Sequence, residues 1–163
     1  MTRTLKNSLL GLASMVATAP ALAQSHSLVG TWRLVAANKI LPDGTQVSDY
    51  GSDPHGIAVF TDEGYYTVEI FRGERTKFAS GDRAKGTPEE YKDAVLSTSC
   101  HFGTYDVDWV NDTITLHIAH ASYPNWDMTT RVGPFTLHGD TLSWRVPPRP
   151  DGSVPVSVFK RIW

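Results

Sequence analysis

Eight short runs rich in β-branched and aromatic residues, separated by glycine, proline, asparagine and aspartate, divide most of this chain. They are Gly30–Ala37, Gly56–Thr61, Tyr65–Arg72, Cys100–Trp109, Thr113–His120, Met128–Leu137, Thr141–Val146 and Val154–Ile162. Runs at this close spacing mark an antiparallel sandwich or barrel. The breaks carry turn chemistry: Pro42-Asp43-Gly44, Asp62-Glu63-Gly64, Val110-Asn111-Asp112, His138-Gly139-Asp140 and Pro150-Asp151-Gly152. Eight strands joined in this way predict an all-β fold, a closed antiparallel up-and-down eight-stranded barrel, because closure removes the exposed edges of an open sheet. An open sandwich is the alternative.

One helix interrupts the pattern, between the third and fourth of these strands. Thr87 can cap its N-terminus, Pro88 takes the first helical position, and Glu90 stands where a capping box needs it. It runs to about Leu96 and makes the segment a long excursion, either a lid at the barrel mouth or a plug at the bottom. The longest other loop, Ile40–Pro54, contains the turn-rich Tyr50-Gly51-Ser52-Asp53-Pro54, which places Tyr50 beside a mouth.

The first residues are set apart from the fold. Arg3 and Lys6 precede an apolar run from Leu9 to Ala23 that ends in Ala21-Leu22-Ala23, the three-part pattern of a secretory signal. Residues 1–23 are read as a cleaved signal peptide and 24–163 as one barrel domain, which predicts a periplasmic or secreted protein. No cysteine stands at the cleavage site, so a lipid anchor is not expected, and no other stretch approaches the ~20 apolar residues of a membrane span. Cys100 is the single cysteine, so stability must come from the core and not from disulfides. A net charge of −2 with both signs dispersed argues against nucleic acid or an anionic membrane as partner.

Motifs for phosphate loops, dinucleotides, nucleophile elbows and structural zinc are absent, so no cofactor and no metal is expected. His117 and His120 lie three apart on one strand and, by strand parity, point to opposite faces. Parity groups His101, Gly103, Tyr105 and Val107 on one face, and Arg131, Phe135 and Leu137 on another. In the strand between them, Thr115, His117 and Ala119 oppose Leu116, Ile118 and His120, and apolar counting leaves open which set points inward.

The stretch from Lys77 to Tyr91, KFASGDRAKGTPEEY, combines with Gly30-Thr31-Trp32, Phe102-Gly103-Thr104-Tyr105 and Pro124-Asn125-Trp126 into a pattern that resembles the bacterial and fungal lipocalin-like domain family. The resemblance covers nearly all of the chain after the signal, and implies a small barrel that encloses a ligand cavity. It implies that Tyr105, His117 and Arg131 line one pocket, and that Trp32 packs over the closed end against a basic residue of the last strand such as Arg161. Asp82 and Arg83 would fix the excursion, with Arg83 also a candidate for an anionic ligand group.

Two functions follow as expectations. In the first, a cofactor-free lyase, isomerase or cyclase acts on a small, aromatic or phenolic molecule, with His117 or Tyr105 as general acid or base and Arg131 stabilising negative charge. In the second, the barrel is a carrier for a small hydrophobic ligand. The ligand contacts expected in either case are Trp126, Tyr65, Phe135, Tyr50, His101 and Arg83.

Overall fold

The computed structural model describes residues 27–162. The signal segment Met1–Ala23, His26 and Trp163 lie outside the described residues. The described residues form nine strands: β1 (Gly30–Ile40), β2 (Gln46–Ser48), β3 (His55–Phe60), β4 (Tyr65–Phe71), β5 (Thr98–Asp108), β6 (Thr113–Ala121), β7 (Thr130–His138), β8 (Thr141–Arg145) and β9 (Val154–Ile162). The helix α1 (Pro88–Leu96) lies between β4 and β5. All pairings are antiparallel, and β9 returns to pair with β1 from Thr31↔Ile162 to Ile40↔Val154, which closes the sheet. Because β3 pairs with Gly30–Arg33 and β2 with Asn38–Ile40 on the same flank of β1, the circumference has eight strands.

The closed antiparallel barrel expected from the sequence is therefore present, with one addition. The segment read as a loop folds back at Pro42-Asp43-Gly44, where Leu41 N donates to Thr45 O (2.8 Å) and the Asp43 carboxylate accepts from Thr45 N (2.8 Å). That turn brings Gln46–Ser48 onto the end of β1 as a short strand, so the helix follows the fourth strand and not the third.

One end of the barrel is packed solid. Trp32, Phe60, Leu142 and Phe159 are almost completely buried there, Trp144 stacks on Phe159 at 4.5 Å, and Tyr105 meets Phe60 edge to face at 4.9 Å. The Trp32 indole donates to Leu28 O (2.8 Å), and the Arg161 guanidinium lies 4.0 Å over its ring while donating to Val29 O and Ser27 O (2.5 and 2.7 Å). The Trp32–Arg161 closure implied by the sequence resemblance is thus in place. Gly30 is needed there: its φ is 133°, and a Cβ would sit 2.8 Å from Arg161 Nη1.

Two bulges decide which side chains face inward. In β1 the pairing passes from Leu34↔Phe159 to Ala36↔Val158, which leaves Val35 as the extra residue and brings Ala37 inward after Trp32 and Leu34. In β6 it passes from Gly103↔Ile118 to Phe102↔His120, with Ala119 extra. Simple alternation puts His117 and His120 on opposite faces; the bulge corrects this, and both are exposed on the outer surface.

The excursion leaves from the other end of the barrel. Thr87 Oγ1 accepts from Glu90 N and the Glu90 carboxylate accepts from Thr87 N (2.8 Å), forming the capping box expected from the sequence. Arg72 pairs with Asp93 (2.9 Å), Arg75 Nε donates to Ser97 Oγ (3.2 Å), and the Phe78 and Tyr91 rings meet at 5.4 Å. No residue of α1 is buried. It stands beside the mouth and is neither a plug nor part of the cavity wall.

Candidate functional site

Opposite the packed end, the barrel holds a cavity of about 500 Å3. It opens where β1, β4, β6 and β8 finish and β5, β7 and β9 begin, and it lies within the range of roughly 300–1,000 Å3 usual for small-molecule pockets. Val68, Ile70, Leu116 and Val146 supply an apolar wall, and Tyr50, Trp126 and Trp144 an aromatic one. The residues that distinguish the site are the few polar groups set into these walls.

Arg131 stands opposite Leu116 in the β6–β7 pairing, so strand alternation turns it inward. Its guanidinium lies 3.9 Å over the ring of Trp126, which the 3₁₀ turn Pro124–Trp126 carries toward the cavity. Burial disfavours its charged form, and the positive charge of Arg149 adds to this. Among the described residues no carboxylate pairs with Arg131, although eight of the other Lys, Arg and His side chains do form such pairs. A half-buried cation in this state retains its hydrogen-bond donors for whatever enters the cavity.

His101 stands opposite Val68 in the β4–β5 pairing and also faces inward. Its Nδ1 lies 3.0 Å from the Tyr66 hydroxyl, and its ring meets Trp126 edge to face at 6.2 Å. Burial, reinforced by the positive charge of Arg131, pushes the His101 pKa down to about 4, so the ring is neutral at neutral pH. Burial likewise raises the pKa of Tyr66, which keeps its proton. Among the described residues His101 Nδ1 is the one acceptor within reach of that hydroxyl. The hydroxyl therefore donates to Nδ1, and the ring proton is assigned to Nε2, which has no protein partner among the described residues.

The rim is charged, with two cations sharing one carboxylate. Arg149 grips Asp49 with two hydrogen bonds (2.9 and 2.5 Å), and Lys39 approaches the same carboxylate at 3.6 Å. Deeper in, Tyr50 lies near Ser99, and burial raises its pKa. Among the described residues Asp49 is the one carboxylate on the cavity wall, and it is occupied by two cations.

The residues singled out from the sequence are distributed over three places. Arg131, Trp126, Tyr50 and His101 come together on the cavity wall. Tyr105 faces inward but at the packed end, where its hydroxyl donates to Thr61 O (2.9 Å), and Phe135 is buried against Trp109 at 5.4 Å. Neither touches the cavity. His117 is on the outer surface, bonded to Asp106 (2.9 Å) and Thr130 (3.2 Å), so Tyr105, His117 and Arg131 do not share a pocket. Leu116 and Ile118 take the interior instead, since burying them recovers more hydrophobic free energy than burying Thr115 and His117.

Tyr65 is exposed on the outside, beside Phe102, His117 and Met128 in a shallow surface groove. Arg83 is exposed in the excursion, where its carbonyl accepts from the Tyr91 hydroxyl (3.0 Å). Sequence reading missed Tyr66, Ser99, Asp49, Trp144 and Arg149. The alternation of Tyr66 with Val68 and Ile70 was available as a signal for the first, and the stiff Pro147-Pro148-Arg149-Pro150 run for the last.

A closed eight-stranded barrel with a Trp–Arg seal at one end and a polar-studded cavity at the other defines a small lipocalin-type barrel. The chain belongs to the lipocalin-like domain family, which it matches over residues 29–162. Among solved structures, a lipocalin-like protein from Bacteroides uniformis ATCC 8492 is 16% identical, covers 83% of this chain and 98% of its own, and superposes with a TM-score of 0.44. A point mutant of the fluorescent protein UnaG is 17% identical, with coverage of 82% and 95% and a TM-score of 0.36. No curated protein matches the chain.

Proposed function

We propose that this protein binds a small aromatic acid in the barrel cavity, with its ring against Trp126, Trp144 and Tyr50 and its anionic group on Arg131. The observation that carries this reading is the unpaired guanidinium. A cation held half out of water costs free energy unless an opposite charge joins it, and the cavity is where that charge can enter. The aromatic and aliphatic walls supply the affinity that the anion alone lacks.

A second reading makes the barrel a cofactor-free acid–base lyase, isomerase or cyclase for aromatic or phenolic substrates. The Tyr66–His101 hydrogen bond favours it, since the two side chains form a short proton relay next to a cation. In that case His101 and Tyr66 take the role assigned from the sequence to His117 and Tyr105, and Arg131 steadies the negative charge that develops on the substrate.

One experiment separates these readings: small aromatic acids and phenols are titrated against the purified protein, tryptophan fluorescence reports binding, and chromatography reports product. Binding without turnover supports the first reading, turnover abolished by His101→Phe supports the second, and no binding to any member sinks both. The proposed address is the periplasm or the exterior, on the strength of the Met1–Ala23 pattern. Protein from an extracytoplasmic fraction should start at Gln24 or a near neighbour, and a mass that retains Met1 counts against it.

A further inference from the structure

The charge without a counter-ion on the cavity wall and the neutral donor beside it narrow the ligand. Lys39 and Arg149 are neutralised in part by Asp49 at the rim, while His101 is uncharged at neutral pH. Arg131 is therefore the one cavity-wall cation with no carboxylate beside it among the described residues, which matches a ligand with a single negative charge. The donor beside it is different in kind: His101 Nε2–H is neutral, held in that tautomer by the Tyr66 hydroxyl, and suited to an uncharged acceptor.

The two donors are neighbours. Both side chains lie against Trp126, Arg131 over its ring face at 3.9 Å and the His101 ring edge to face at 6.2 Å, and the charge of Arg131 acts on His101 directly. We infer that the ligand is an aromatic carboxylate with an uncharged acceptor oxygen close to the carboxylate, of the aromatic 2-oxo-acid type. The carboxylate sits on Arg131, and the oxo group accepts from His101 Nε2. This inference rests on the reading of Arg131 as the carboxylate anchor. Tyr66 is a positioning residue: it touches no ligand and acts by fixing which nitrogen of His101 carries the proton.

The test compares 2-oxo-4-phenylbutanoate, 4-phenylbutanoate and 4-phenylbutanamide by calorimetry at pH 7.5 on the parent protein and on His101→Phe. The oxo acid should bind the parent about three- to tenfold more tightly than the plain acid, the range of one added neutral hydrogen bond. In His101→Phe that ratio should fall to about one, with both acids still preferred over the amide. Because Phe at position 101 leaves the Tyr66 hydroxyl without its acceptor, Tyr66→Phe/His101→Phe serves as a repacked second variant with the same expected ratio.

Nitrogen-15 spectra of the parent give an independent readout: the His101 Nε2 resonance should move with the oxo acid and stay with the plain acid. No oxo preference in the parent, or one that survives in both variants, overturns the inference while leaving acid binding intact. Equal affinity for 4-phenylbutanoate and 4-phenylbutanamide overturns the anchor reading, and the inference falls with it.

Discussion

Acidification should weaken this barrel through His101 in a calculable way. In the unfolded chain the imidazole titrates near its ordinary 6.5, whereas in the cavity burial and Arg131 hold it at about 4. Between those values the unfolded state binds more protons than the folded state, so stability is full above pH 6.5 and is lost as pH falls toward 4. For a single group with this shift the loss is about 2 kcal/mol by pH 5 and about 3 kcal/mol by pH 4, below which it grows little. Water in the open cavity screens the ring and brings both figures toward the lower side. The perturbation is His101→Gln, which removes the titration but keeps an acceptor for the Tyr66 hydroxyl. Urea unfolding of parent and variant at a series of pH values between 7.5 and 4 gives the difference curve, in which groups common to both proteins cancel. The parent should lose its margin over the variant across that window, and parallel pH profiles would refute the reasoning.

His117→Ala should leave ligand affinity within about twofold, because surface substitutions away from the site have small effects, and calorimetry checks this; a hundredfold loss would return His117 to the site. Asp49→Asn leaves Arg149 and Lys39 without their shared counter-charge and should cost about 2 kcal/mol in urea unfolding, since Asp49 is nearly buried but its partners are part-exposed. Gly103→Ala places a Cβ 1.9 Å from His117 O, and should cost more than about 3 kcal/mol or prevent folding, read from the thermal midpoint.

The barrel was legible because each strand alternates, and alternation is a direct image of burial on one face. Which residues share a face, His101 with Gly103, Tyr105 and Val107 on β5 and Arg131 with Phe135 and Leu137 on β7, was readable for this reason, while the choice of the inward face was not. Alternation does not report depth along the strand. His101 and Tyr105 share a face, yet four residues of extended chain separate them by about 13 Å, enough to put one in the cavity and the other in the packed end. Nor does it survive a bulge: the extra residue Ala119 turns His120 outward, and nothing in its neighbours announces this. In β6 the choice of face was left open by parity, and the hydrophobic weight of Leu116 and Ile118 settles it. The partners of the site, Tyr66 for His101 and Asp49 for Arg149, are 35 and 100 residues away in sequence, so only the closed fold brings them together.

The most direct measurement concerns Arg131. Calorimetric titration of 4-phenylbutanoate and 4-phenylbutanamide into the parent and into Arg131→Met isolates the charge on each side of the proposed contact. The acid should outbind the amide in the parent, and Arg131→Met should weaken the acid by about 30-fold or more while changing the amide little, as expected for losing a desolvated charged hydrogen bond. The thermal midpoint of the empty variant should be unchanged or higher, because Met fills the site without a charge to desolvate. An acid that binds Arg131→Met as tightly as the parent would contradict the assignment of this cavity to an aromatic anion.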